Sequence, residues 1–252
     1  MEPVIVRGLS IGTGRPKIVV PVMGADPAEL LQAAEAVRHS PAQIVEWRLD
    51  GFERVFDKSA LLESAAALSA ALGDLPLLVT FRTDREGGER AASESEYAAL
   101  IETLADSGLA DLIDIELFTG EDFVRREIEF CHSRGVKVIV SSHEFHATPP
   151  KEELTARLEK MERLGADLAK LAVMPQSPED VLTLLAATRE ASAHAARPVV
   201  TMSMGRLGAV SRLSGEVFGS ALTFGAVGRS SAPGQVEAGA LAQMLLLLSP
   251  EG

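Results

Sequence analysis

The chain has 252 residues, 46% of them hydrophobic, and its 24 Lys and Arg against 36 Asp and Glu leave a formal charge of -12. That charge argues against nucleic acid or an anionic membrane as partner, since both need clustered cations to neutralise phosphates. The length suits one (β/α)8 barrel, a single catalytic domain over 1–252. The lone cysteine, Cys131, cannot form an internal disulfide, and MEPVIVRGLS lacks the charged and then apolar regions of a leader. The expectation is a cytoplasmic, unexported protein with no membrane span.

In chain order, residues 1–16, with Gly8, Gly12 and Gly14, predict an N-terminal β-hairpin. Eight β-branched runs follow: KIVVPVM (17–23), IVEWRLD (44–50), LPLLVTFR (75–82), DLIDIEL (111–117), VKVIVSSH (136–143), ADLAKLAV (166–173), PVVTMSM (198–204) and ALTFGA (221–226). Ala-, Leu- and Glu-rich segments of helical period separate them. Asp26 with Pro27 and Ser177 with Pro178 read as helix starts, and Gly108, Gly135 and Gly165 as helix stops. Strict β–α alternation predicts a parallel sheet under helices. Eight units without a composition break favour its closure into a barrel.

Strands covered on both faces should be nearly all apolar, so charges inside them are the informative departures. In IVEWRLD, strand alternation puts Glu46, Arg48 and Asp50 on one face; elsewhere it pairs Thr80 with Arg82 and Asp114 with Glu116. These residues are expected to face into the barrel near the C-terminal strand ends. Taken one by one, each could be a solvent-facing strand end or half of an ion pair. A set drawn from four strands instead implies a polar network inside a cavity.

Lys170 interrupts an apolar strand, and burial with guanidinium neighbours is expected to favour its neutral, nucleophilic amine. A snorkelling or salt-bridged lysine is the competing reading. His143 ends the fifth strand and suits proton transfer; His146, in the following loop, ranks second. Cys131 and His132 have no metal-site spacing, so no metal is expected. Gly205 and the GRSSAPGQ loop (228–235) sit where barrels commonly hold anions, without matching a Walker or dinucleotide pattern. Arg212 offers a bidentate grip on a carboxylate, unless it is a helix-surface charge.

Taken together, EWRLD, TFR, SSHEFHATP, the lysine of ADLAKLAV, MSMGRLGAVSR and SSAPGQ resemble the type I 3-dehydroquinate dehydratases, in order, from Lys17 to Gln235. The resemblance implies dehydration of 3-dehydroquinate to 3-dehydroshikimate, a shikimate-pathway step, through a Schiff base on Lys170 with His143 as general acid/base. It implies that Glu86 orients His143. Arg212, Ser231 and Gln235 would grip the substrate carboxylate, the last two from a lid loop. Glu46, Arg48 and Arg82 would line the hydroxyl end, and Met202, Met204 and Phe224 the apolar wall. No cofactor or metal is implied, and a homodimer is. The main departure is Pro21, where many members carry a small polar residue. Two rival readings are a class I Schiff-base aldolase on the same barrel and a non-catalytic module that binds sugar acids.

Overall fold

The computed structural model describes residues 1–228 and 231–249; Arg229 and Ser230 of the GRSSAPGQ loop lie outside the described residues. The hairpin forms from β1 (Val4–Val6) and β2 (Leu9–Ile11), with Val4 opposite Ile11. Eight parallel strands follow: β3 (Lys17–Val22), β4 (Ile44–Arg48), β5 (Leu77–Thr80), β6 (Leu112–Glu116), β7 (Lys137–Glu144), β8 (Leu168–Val173), β9 (Val199–Ser203) and β10 (Leu222–Ala226). Each pairs with the next up to β9, and β10 pairs with β3. The remaining seam, β9 to β10, closes through a bridge between Val199 and Ser220, where the Ala221 N–H donates to the Val199 carbonyl at 2.8 Å. This is the expected (β/α)8 barrel, with a short strand β11 (Val236–Glu237) added beside β10.

The helices are α1 (Pro27–Arg38), α2 (Lys58–Leu72), α3 (Glu94–Ser107), α4 (Glu121–Ser133), α5 (Lys151–Leu164), α6 (Pro178–His194), α7 (Ala209–Leu213), α8 (Gly215–Phe218) and α9 (Ala238–Leu248). Asp26 caps α1 by accepting the N–H groups of Ala28 and Glu29, and Ser177 opens α6 with a reciprocal capping box. Outward strand residues such as Val45, Trp47, Val79, Ile113, Val140 and Leu171 pack with the helices in one buried cluster. Each large side chain so buried contributes about 1.5–3 kcal/mol. A second cluster floors the barrel: Val19, Ile44, Leu78, Leu112, Ile139, Leu168, Val200 and Leu222 pack with Val4, Val6 and Ile11 of the hairpin.

Two strand ends differ from the sequence reading. β4 stops at Arg48 and Leu49–Gly51 forms a 3-10 turn, while β5 stops at Thr80. Asp50 is therefore not a third inward strand residue. Its carboxylate draws in the Arg48 guanidinium and two backbone amides from neighbouring segments, which an extended chain would hold out of reach.

Candidate active site

Because side chains alternate along a strand, two residues above each apolar floor position lies another inward one. Those positions are Pro21, Glu46, Thr80, Asp114, Ser141, Lys170, Met202 and Phe224, and all are buried. Two residues further on come Arg48, Arg82, Glu116, His143, Ala172 and Met204. The barrel thus passes from an apolar floor to a charged middle and then to a mouth at the C-terminal strand ends, where this fold places its chemistry.

Lys170 is almost fully buried, and its Nζ donates to Asp114 Oδ2 at 3.1 Å. Glu46 Oε1 lies 3.8 Å away and the centre of the Phe224 ring 4.7 Å away. Carboxylates are thus its direct contacts, while the expected guanidinium groups of Arg48, Arg82 and Arg212 line the same cavity. Asp114 Oδ1 also accepts from Arg82 Nη2 at 2.7 Å and Ser141 Oγ at 2.6 Å. Burial would raise the Asp114 pKa, but Arg82 and Lys170 outweigh it and hold the carboxyl down at about 2. Arg82 Nη1 further donates to Glu116 at 2.9 Å and approaches Glu86 Oε2 at 3.4 Å, so its guanidinium is caged by carboxylates. Glu46 Oε1 accepts from Thr80 Oγ1 at 2.8 Å.

Glu86 sits in a 3-10 turn (Asp84–Glu86) after β5, carried on the segment 83–90. A Cβ on Gly88 would lie 1.8 Å from the Arg82 carbonyl oxygen, so only glycine lets the segment fold back this closely. The Glu86 Oε2 atom meets His143 Nδ1 at 2.8 Å and accepts the His143 backbone N–H at 3.0 Å. Burial, then Arg82, Lys170 and Arg48, push the His143 pKa well below its ordinary value, so the ring is neutral. Burial also pushes Glu86 up to about 8, which would protonate it at neutral pH. The contacts oppose that rise: Arg82 and the His143 backbone N–H both donate to Oε2, and the guanidinium charge favours the ionised carboxyl. With a carboxylate on Glu86, Nδ1 carries the proton and Nε2 is left free to act as base. His146, the second-ranked histidine, is exposed and lines a neighbouring cavity instead.

Arg212, on α7, is 2% exposed and makes no ion pair among the described residues. Its Nη2 donates to the Pro233 carbonyl at 3.2 Å, its Nη1 lies 3.8 Å from the Met202 sulfur, and its Nε is buried without a partner. Burial lowers its pKa to about 10. A buried cation left this way is set to receive an anion. Ser231 and Gln235 pair with each other, the Gln235 Nε2 donating to Ser231 Oγ at 3.1 Å and the Ser231 N–H to Gln235 Oε1 at 3.0 Å.

One cavity of about 150 Å³ brings these groups together: Glu46, Arg48, Arg82, Glu86, His143, Lys170, Met202, Met204, Arg212, Phe224, Ser231 and Gln235 all line it. A larger cleft of about 710 Å³ opens at the other end of the barrel, around Lys17 and Glu216, without a comparable set of convergent groups. Sequence reasoning placed Asp114 inside but did not join it to Lys170. It missed Ser141, a small hydroxyl in an apolar run, and Gly87, Phe145, Ala172, Ala232 and Pro233, which complete the wall. Among the described residues, no group of three or more His, Cys, Asp or Glu side chains could hold a metal ion, and no helix is long and apolar enough to cross a membrane.

Known proteins share this arrangement of chain. The profile described as type I 3-dehydroquinase matches residues 18–251. The 3-dehydroquinate dehydratase of Salmonella choleraesuis strain SC-B67 is 49% identical over 249 residues, covering 98% of this chain and 99% of that protein. The crystal structure of type I 3-dehydroquinate dehydratase from Clostridium difficile, with covalently modified comenic acid, superposes with a TM-score of 0.96 at 46% identity, over 98% of each chain. The Geobacillus kaustophilus HTA426 enzyme gives 0.96 at 43% identity, over 98% of this chain and 96% of that one. With sequence, fold and profile agreeing over nearly its full length, the chain belongs to the type I 3-dehydroquinase family of hydro-lyases.

Proposed function

We propose that this chain removes water from 3-dehydroquinate to give 3-dehydroshikimate, through an imine on Lys170 with His143 moving the protons. The observation that carries this is a single small cavity holding a buried amine, an imidazole held through Nδ1 by Glu86, and a buried guanidinium that makes no ion pair among the described residues. The substrate has a ketone for the first, an acidic carbon for the second and a carboxylate for the third.

The Lys170 amine adds to the ketone carbon, and loss of water leaves a protonated imine that draws electrons from the neighbouring C–H bond. His143 takes that proton, giving an enamine. As the enamine collapses, the β-hydroxyl leaves as water with the proton from His143. Water then adds to the imine carbon, the C–N bond breaks, and Lys170 is released. Glu86 holds the imidazole in the required tautomer. Arg212 takes the carboxylate, with Ser231 and Gln235 closing over it from the 231–235 segment. Glu46 and Arg48 face the hydroxyl end, while Met202, Met204 and Phe224 supply the apolar wall. Arg82 is committed to three carboxylates, so its share is to hold Asp114, Glu116 and Glu86 in place.

The same reading makes the chain one catalytic unit of the cytoplasm that binds a small molecule and neither nucleic acid nor membrane. It also makes the chain a homodimer. Met244, Leu246, Leu247 and Leu248 stand exposed along α9, and sedimentation should report twice the 26.7 kDa chain mass.

The test is enone formation from 3-dehydroquinate. The wild-type chain should turn over, and His143→Ala should lose at least about 100-fold in kcat while still forming a covalent adduct. A His143→Ala enzyme with near-normal turnover, alongside an impaired His146→Ala, would move the base to the loop histidine.

A further inference from the structure

We infer that Asp50 is a positioning residue that ties recognition of the substrate's hydroxyl end to the proton-transfer pair, holding Arg48 with its carboxylate oxygens and the turn of Glu86 with the same two atoms. The inference rests on the functional reading above and deepens it. Asp50 is fully buried and does not line the cavity. Its Oδ1 and Oδ2 accept Arg48 Nε and Nη2, both at 2.8 Å, a fork-on-fork pair that commits two guanidinium nitrogens. Because the guanidinium is planar, that pair fixes where Nη1 points.

The same carboxylate takes backbone N–H groups at both ends of the segment that carries Glu86. Oδ1 accepts from Arg82 at 3.4 Å and Oδ2 from Glu89 at 3.1 Å. Within that span the chain folds on itself: Glu86 and Gly88 donate to the Thr83 carbonyl at 3.1 and 2.8 Å. The segment is thus a compact turn pinned at its entry and its exit by one side chain, with Glu86 between the pins. Burial works against the charge on Asp50, but the hydrogen bonds and charge of Arg48 and the Glu89 amide keep the carboxyl below its ordinary pKa. An ion pair kept only for stability gains little over an apolar pair of the same volume. A carboxylate that must aim one guanidinium and anchor one turn has no apolar equivalent.

The test is Asp50→Asn, which keeps the volume but cannot accept from both guanidinium nitrogens and both amides at once. We expect kcat/KM to fall about 10- to 100-fold, as for other groups that orient reacting side chains. The loss should split by background. With Arg48→Met, Asp50→Asn should still lower kcat but no longer raise KM; with Glu86→Gln, it should still raise KM but no longer lower kcat. A merely structural role would lower the melting temperature and act alike in both backgrounds, overturning the inference. If Asp50→Asn fails to fold, Arg48→Met/Asp50→Leu removes both buried charges together; it should show a lower kcat than Arg48→Met alone, and equal values overturn the inference. An active wild type matched by Asp50→Asn sinks the inference alone. A wild type that neither binds nor turns over 3-dehydroquinate sinks the functional reading and this inference with it.

Discussion

Arg212 has no anionic partner among the described residues, so its replacement should act on substrate binding more than on folding. A charge-assisted contact contributes about 1.5–3 kcal/mol, so Arg212→Ala should raise KM roughly 10- to 100-fold. Arg212→Lys should recover only part of this, lacking the planar fork. An unchanged KM and kcat/KM would remove Arg212 from the site. The proton-transfer pair makes a pH prediction. His143 has its pKa depressed below the ordinary 6.5, and its neutral form is the base. Protonation on lowering the pH switches it off, so kcat/KM should stay level down through 6.5 and fall only below it. An acid limb near 8, where burial prevails over the pull of Arg82 on Glu86, would show that the carboxylate assignment is wrong.

At the scale of elements, the segment 231–235 is seated on the turn after β9. The Gly205 N–H donates to the Pro233 carbonyl at 3.1 Å, and a Cβ on Gly234 would lie 2.2 Å from the Gly205 carbonyl oxygen. Gly234 also has φ +76°, in the left-handed region. Gly234→Ala should therefore lift Ser231 and Gln235 off the cavity and raise KM about 10-fold, with little change in melting temperature. An unaltered KM would show that the seat does not matter for binding. The strands were the most legible part of this chain, because alternation alone placed Glu46, Asp114 and Lys170 on the inner face. Their ends were less so. Nothing local distinguished Asp50 as the centre of a turn, since the amides it accepts come from residues 82 and 89. Glu86 lies off the strands, so only family resemblance pointed to it. The contact of Lys170 with Asp114 spans 56 positions and belongs to the register of the sheet, which composition does not carry.

For the whole molecule, β–α alternation foretold the barrel, and the hairpin's place under it follows from Val4, Val6 and Ile11, the apolar side chains that complete the floor. The net charge of -12 gives no hint of a site for an anion. In the proposed function, carboxylate binding depends on the buried Arg212, where local field outweighs global charge. The account as a whole turns on one covalent bond. Reduction with borohydride in the presence of 3-dehydroquinate, read by intact mass and then by peptide mapping, tests it most directly. One ligand mass should be added per chain, at Lys170, and Lys170→Ala should show neither adduct nor turnover. Turnover without an adduct, or an adduct at Lys137 or another lysine, would contradict the account.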